Sequence, residues 1–419
     1  MQIQNFYLRC YVIALLFFVS GAISAQTTDF SKASIIASEK IESPVRETAI
    51  RVLQEEVAKQ TALKLPVSSD IGKNSTIVLA LQNDKELNGL AVPLRTGSNL
   101  PEEKKEGYRI LSEKKNGKDI VWIIGADAGG VMFGVGKLLR TVSMSNKKMI
   151  LENPLDFATS PMQSIRGHQL GYRNTNNSCD AWTVAQYEQY IRELVIFGTN
   201  AVEVTPTQDV KESVHFKMVP DEMDFNISRI CADYGIDFWI WSPATFDLKD
   251  KGKRQAELVR LEKYFKNCPK ISDIFFPGGD PGDNHPSEVM PFLKDLHDIL
   301  MKYHPNAGIW ISLQGFSAEQ VDYFYVYLEK NKPDWLRGIV SGPSSPATGE
   351  TRYRLDPKYK HRLYPDITHN VRCEYPVANW DQAYMLTIGR EGINPRPVFS
   401  AKIHKSFAPF VDGFITYSD

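Results

Sequence analysis

The chain has 419 residues, 42% of them hydrophobic and 24% charged, ordinary values for a globular protein that exclude a disordered or collagen-like chain. Lys and Arg number 49 against 50 Asp and Glu, a net charge of −1, and this balance argues against nucleic-acid binding, which needs a basic face to meet phosphates. The length fits a small domain beside a barrel of about 250 residues.

The first 25 residues read as a secretory signal peptide. Arg9 precedes an apolar run from Tyr11 to Val19, and Ser20-Gly21-Ala22-Ile23-Ser24-Ala25 follows. A positive start, a short apolar core and small residues near the cut define such a signal. The run is shorter than the roughly 20 apolar residues of a membrane span. Cleavage is expected after Ala25, leaving an exported protein, periplasmic or extracellular, with no membrane span. Beyond Cys10, the cysteines are Cys179, Cys231, Cys268 and Cys373. They show no CxxC spacing, so free thiols are expected rather than a zinc knuckle, with Cys231 in the core.

Residues 26–160 read as a small α+β domain. Ala33–Ala37 is a short strand, and helical spacing of Ile50, Leu53, Val57 and Leu63 predicts a helix from about Pro44. Ser75–Leu81 is a buried strand. Gly107–Ser112 and Asp119–Gly125 form a hairpin through Asn116-Gly117, a strong turn dipeptide. Gly125-Ala126-Asp127-Ala128-Gly129-Gly130 then opens a helix. The GxGxxG pattern is absent and the helix follows a hairpin, which argues against a nucleotide site. No cofactor is expected.

Gly-Tyr-Arg-Ile (107–110), Ile-Ile-Gly-Ala-Asp (123–127) and Gly-Val-Met-Phe-Gly-Val-Gly-Lys-Leu-Leu-Arg (130–140) together resemble the N-terminal accessory domain of α-glucuronidases and β-N-acetylhexosaminidases. In those families this domain packs against a catalytic barrel. The resemblance implies a carbohydrate enzyme without fixing the sugar.

Residues 161–419 read as a (β/α)8 TIM-type barrel. Apolar strand-like runs begin near Ile165, Ala201, Ile236, Asp273, Gly308, Leu336, Arg362 and Asp412. The early intervals of about 35 residues suit a strand, a helix and two loops. Thr183-x-x-Gln186 and Ser317-x-x-Gln320 are capping boxes, and Pro286 suits a first helical position. The eighth strand, Gly413–Asp419, reaches the last residue. The expectation is a barrel apparently truncated before its eighth helix, with an uncovered apolar edge through which copies could self-associate.

Active sites of such barrels lie at the carboxyl ends of the strands. Those ends offer His168, Gln169 and Arg173, then Glu203, Trp241, Asp280, Asp283, Trp310, Gln314, His369, Tyr417 and Asp419. Glycoside hydrolysis needs a carboxylic acid to protonate the leaving oxygen and a second group at the anomeric carbon. The families resembled here carry an acid at the end of strand four, where this chain has Asp280 in Gly278-Gly279-Asp280-Pro281-Gly282-Asp283. They often show Glu or an Asp-Glu pair, and this chain has neither. Asp280, Asp283 and Glu203 are the candidate catalytic carboxylates, with Asp366 and Asp419 as further candidates for the second group. His168, Arg173, Trp241, Trp310, Gln314, His369, Tyr417 and Asp419 are the candidate substrate contacts.

Each has a competing structural reading. Asp283 could cap the next helix, the two tryptophans could fill the barrel, and Glu203 could be a buried carboxylate paired with Arg166. The leading expectation is a glycoside hydrolase acting on polysaccharide or glycan. The alternatives are a non-catalytic glycan-binding protein and a metal-assisted hydrolase built on Asp280, Asp283 and His285.

Overall fold

The computed structural model describes residues 27–70, 75–171, 181–205, 215–342, 344–368 and 397–418. The proposed signal peptide and Cys179 and Cys373 lie outside them, as do Arg173, His369 and Asp419. In the first part of the chain five strands form one mixed sheet. Their spatial order is Asp156–Thr159, Tyr108–Lys115, Lys118–Gly125, Thr76–Leu81 and Ser34–Ala37. The Asn116-Gly117 turn has φ of 53° and 78° at its two residues, the left-handed pair that a tight hairpin demands. Lys118–Gly125, Thr76–Leu81 and Ser34–Ala37 run parallel. Two short hairpins that the sequence did not announce, Glu86–Ala91 and Ser143–Leu151, flank the sheet.

Helices Val45–Thr61 and Ala128–Leu139 cover one face of this sheet and share a continuous apolar core with the barrel helices. Asp127 caps the second of them by accepting from the Gly130 amide. Close contact with the barrel is possible because a Cβ at Gly136 would lie only 2.7 Å from the Ile196 carbonyl oxygen. Two polar locks add to this. Arg192, 4% exposed, reaches Glu55, Glu56 and Glu188. Arg166 pairs with Glu106 at 2.8 Å.

The remaining strands close a parallel barrel. Strands one to six are Ile165–Leu170, Ala201–Val204, Asp237–Trp241, Asp273–Phe276, Gly308–Ser312 and Leu336–Ser341. Strand seven is Lys360–Leu363, continued by Asp366–Thr368, and strand eight is Gly413–Ser418. Strand eight pairs with strand one from Ile165↔Gly413 to His168↔Thr416, which closes the ring. Each of strands one to seven is followed by a helix, starting at Val184, Pro220, Lys251, Pro286, Ala318, Thr348 and Pro397. Both expected capping boxes are formed, at Thr183 and Ser317. Pro286 opens its helix, and Cys231 and Cys268 are buried free thiols.

Alternate residues of the strands fill the barrel, as the two-residue period of a strand requires. Ala201, Trp239, Trp241, Phe275, Trp310, Val340 and Ile415 form a cluster of their own there. No helix among the described residues is long and apolar enough to cross a membrane.

Candidate active site

The barrel interior holds a buried ion pair. Glu203 and Arg362 are both fully buried and joined through Arg362 Nη2 and Glu203 Oε2. Gln169 Nε2 donates to the other carboxylate oxygen at 2.6 Å. The guanidinium lies 4.7 Å from the Trp239 ring and 4.8 Å from the Phe275 ring. Burial pushes the Glu203 carboxyl above its ordinary range, and Arg362 and Gln169 pull it back. The expected partner, Arg166, is elsewhere. Strand alternation turns it outward to Glu106, while Arg362 of strand seven projects inward. Glu203 therefore sits in a buried polar network in which Gln169 Oε1, Arg362 Nε and Nη1 and Trp239 Nε1 have no hydrogen-bond partner among the described residues. Sequence reading missed Arg362, which it took only as a strand start. The available signal was a charged residue in an otherwise apolar barrel strand.

Two further candidates are also placed away from the rim. Trp310 is 1% exposed, and its indole N–H turns back to Asp273, the first residue of strand four, at 2.8 Å. It fills the barrel rather than offering a face for stacking. His168 points to the helix layer, where Nδ1 meets Thr416 Oγ1 at 2.8 Å and Nε2 meets the Tyr190 hydroxyl at 3.4 Å. Burial pushes its imidazole down to about 4. Trp241 ends strand three in the interior cluster and is 8% exposed. Tyr417 lies on strand eight.

Asp280 is different. It is exposed at the carboxyl end of strand four, and Gln314 Nε2 from the loop after strand five donates to its Oδ2 at 2.9 Å. Glycines set the approach of the two loops. Gly278 has φ +74°, and a Cβ there would lie 2.3 Å from the Ser312 carbonyl oxygen. Gly315 has φ +76° and would place a Cβ 2.9 Å from that of Asp280. Only glycine allows both conformation and contact. The Gly279 amide donates to the Gln314 carbonyl at 2.9 Å, completing the lock.

The loop after strand three joins the same unit. Asn284 accepts from the Leu248 amide at 2.8 Å and donates to the Phe246 carbonyl at 2.9 Å. Asp283 has φ +50°, and its amide donates to the Gly279 carbonyl. It does not cap the following helix. His285 takes that position, accepting from the Ser287 amide. Among the described residues no three His, Cys, Asp or Glu side chains gather as a metal site, so Asp280, Asp283 and His285 do not converge on a common ion. Three interlocked loops thus hold the exposed Asp280 carboxylate, with the Gln314 amide fixing its orientation, and Asp283 and Asp247 on these loops are exposed as well.

No protein-family model matches the sequence, and no curated protein does. Solved structures do match. A GH20 exo-β-N-acetylglucosaminidase from Vibrio harveyi shares 12% identity at a TM-score of 0.58 over 93% of this chain and 66% of that one. A GH20 β-N-acetylhexosaminidase from Streptomyces coelicolor A3(2) shares 12% identity at 0.58, over 94% and 85%. A GH115 4-O-methyl-α-glucuronidase with specificity for decorated arabinogalactans shares 13% identity at 0.65, over 93% and 54%. The chain thus spans between about half and two-thirds of the Vibrio enzyme and the glucuronidase. Its fold is the TIM barrel with N-terminal domain that these glycoside hydrolases possess.

Proposed function

We propose that the protein is a glycoside hydrolase of polysaccharide or glycan chains, with Asp280 as the general acid. The observation that carries this reading is the exposed Asp280 carboxylate, oriented by Gln314 at the catalytic end of a barrel fold that glycosidases share. A carboxyl group there can protonate the leaving glycosidic oxygen while a second group handles the anomeric carbon. Glu203 is the less favoured candidate for that second role, because it is fully buried and paired with Arg362 and Gln169. Asp283 remains the candidate on the same loop. Export belongs to the same proposal, and a mature N-terminus at Gln26 would support it.

The test is Asp280→Asn, which keeps shape and removes the proton. General acid catalysis contributes about 10²–10⁴-fold. Turnover of a natural glycoside should fall by that factor with little change in binding. An activated aryl glycoside leaves with little help, so its rate should be largely retained. Equal loss on both substrates with a lower melting temperature would reject the acid role. Binding of glycans with no turnover in the unaltered protein would mark a glycan-binding protein instead.

A further inference from the structure

A second polar constellation lies on the outer side of the barrel wall. Ser341 ends strand six, and His361 lies on strand seven beside it. Ser341 Oγ is 2.8 Å from His361 Nε2, and His361 Nδ1 is 3.0 Å from the Phe410 carbonyl oxygen. A carbonyl oxygen can only accept, so Nδ1 carries the ring proton. In the neutral ring Nε2 is then the acceptor, and the serine hydroxyl donates to it. The His361 backbone is held as well. The His361 amide donates to Asp412 Oδ2 at 2.9 Å, and the Asp412 amide donates to the His361 carbonyl at 2.7 Å. Burial also pushes the imidazole down to about 4, so it is neutral at pH 7 and a weaker base than an ordinary histidine.

Ser341 also faces an opening. It lines a cavity of about 490 Å³ between the strand ends and helix Pro397–Phe407. Leu363, Ile403, Phe407 and Phe414 make its wall mostly apolar. Small-molecule sites span roughly 300–1,000 Å³ with such linings. A hydroxyl bonded to a neutral imidazole, whose far nitrogen is oriented by an acceptor, is the arrangement that activates serine for acyl transfer.

We propose that Ser341 is a nucleophile activated by His361 and that the cavity accepts a small ester with an apolar acyl group. Ser341 Oγ bonds to the ester carbonyl carbon as its proton passes to His361 Nε2. Collapse of the adduct breaks the ester C–O bond, and the departing alkoxide takes that proton. Water then hydrolyses the acyl-serine, its proton passing through the same imidazole, to release the carboxylic acid. No oxidant, metal or cofactor is required, and the site is independent of Asp280.

The deciding experiment treats the folded, unaltered protein with a fluorophosphonate probe and locates the adduct by peptide mass spectrometry. The expected result is one adduct, on Ser341, absent from heat-denatured protein. His361→Gln should slow labelling by at least about 10²-fold. Ala401→Trp, which fills the cavity from an exposed helix position, should block it. Hydrolysis of p-nitrophenyl butyrate should follow the same order, while Asp280→Asn labels normally. Folded unaltered protein that takes up no probe, or takes it up on another residue, overturns the proposal. That outcome leaves the glycosidase reading intact, as loss of glycan turnover would leave this one.

Discussion

Two carboxylates in this barrel are each held by a glutamine amide, and their surroundings differ in every other respect. Glu203 receives Gln169 at 2.6 Å, is fully buried and faces the Arg362 guanidinium. Asp280 receives Gln314 at 2.9 Å, is exposed and rests on a loop whose glycines fit it against its neighbour. The first carboxylate has its charge matched inside a low-dielectric wall, so it fixes strands one, two and seven to one another. The second keeps an oxygen available to solvent, so it can meet a substrate. One residue pairing thus serves architecture in one place and offers chemistry in the other. Burial and the presence of a cation make the difference.

The contrast is broken most strongly by removing each carboxylate in turn. Glu203→Ala leaves Arg362 buried without its counter-charge, and breaking such a pair costs about 3–5 kcal/mol. Asp280→Ala, at an exposed site, should shift stability by no more than about 0.5 kcal/mol. Urea unfolding of the two variants measures both. Replacing the whole pair, Glu203→Leu with Arg362→Met, should recover much of the loss, because no charge is then stranded. If Glu203→Ala proved as stable as the unaltered protein yet lost turnover, the assignment of the two carboxylates would have to be exchanged.

The sequence made the barrel legible and left its interior mostly unreadable. Strands buried on both faces must be short apolar runs, so all eight could be located from Ile165 to Asp412, and capping chemistry placed the helices at Thr183 and Ser317. Hairpins such as Ser143–Leu151 escaped because strands of three and four residues carry too little periodicity to register. The partner of Glu203 escaped because Arg362 is 159 residues away, whereas Arg166 looked suitable and points to the other side of the wall. Trp241 and Trp310 look alike as sequence. The fold places both in the interior cluster, Trp310 the more deeply, with its indole turned toward Asp273. The strand-end place of Asp280 was legible because glycines around an acid after an apolar run are visible in sequence. Its link to Gln314 needed the fold.

Acid sharpens the same division by acting on the barrel wall. Burial holds His168 at about 4, below the roughly 6.5 of an unfolded histidine. Above about pH 6.5 the ring is neutral in both states and contributes nothing to the pH dependence. Between about 6.5 and 4 the unfolded chain binds the proton first, so stability falls as pH falls, and below about 4 the loss is complete. One such group accounts for up to about 3 kcal/mol. His168→Asn should reduce the slope of this part of the stability–pH curve, measured by urea midpoints from pH 7 to 4, leaving the share of His361, which burial also holds at about 4. A curve insensitive to His168→Asn would place the acid-labile group elsewhere.

The smallest effects come from the two glutamines, and they test the comparison most closely. Gln169→Leu removes a donor from a fully buried carboxylate. Leaving a buried acceptor short of a partner costs about 1–3 kcal/mol, so the melting temperature should fall, by roughly 4–8 °C per kcal/mol for a small domain and less for a chain of this size. Gln314→Leu removes a donor from an exposed carboxylate, where water supplies the missing hydrogen bond. Its stability should stay within about 0.5 kcal/mol. What it loses is orientation. A hydrogen bond contributing about 1 kcal/mol to the placement of the acid corresponds to a several-fold fall in kcat, with KM little changed. Gln314→Asn or Gln314→Glu cannot substitute, since one is too short and the other sets a like charge beside Asp280. A fall in melting temperature for Gln314→Leu matching that for Gln169→Leu, with kcat unaltered, would show that both pairs are structural and that the rim pair has no part in catalysis.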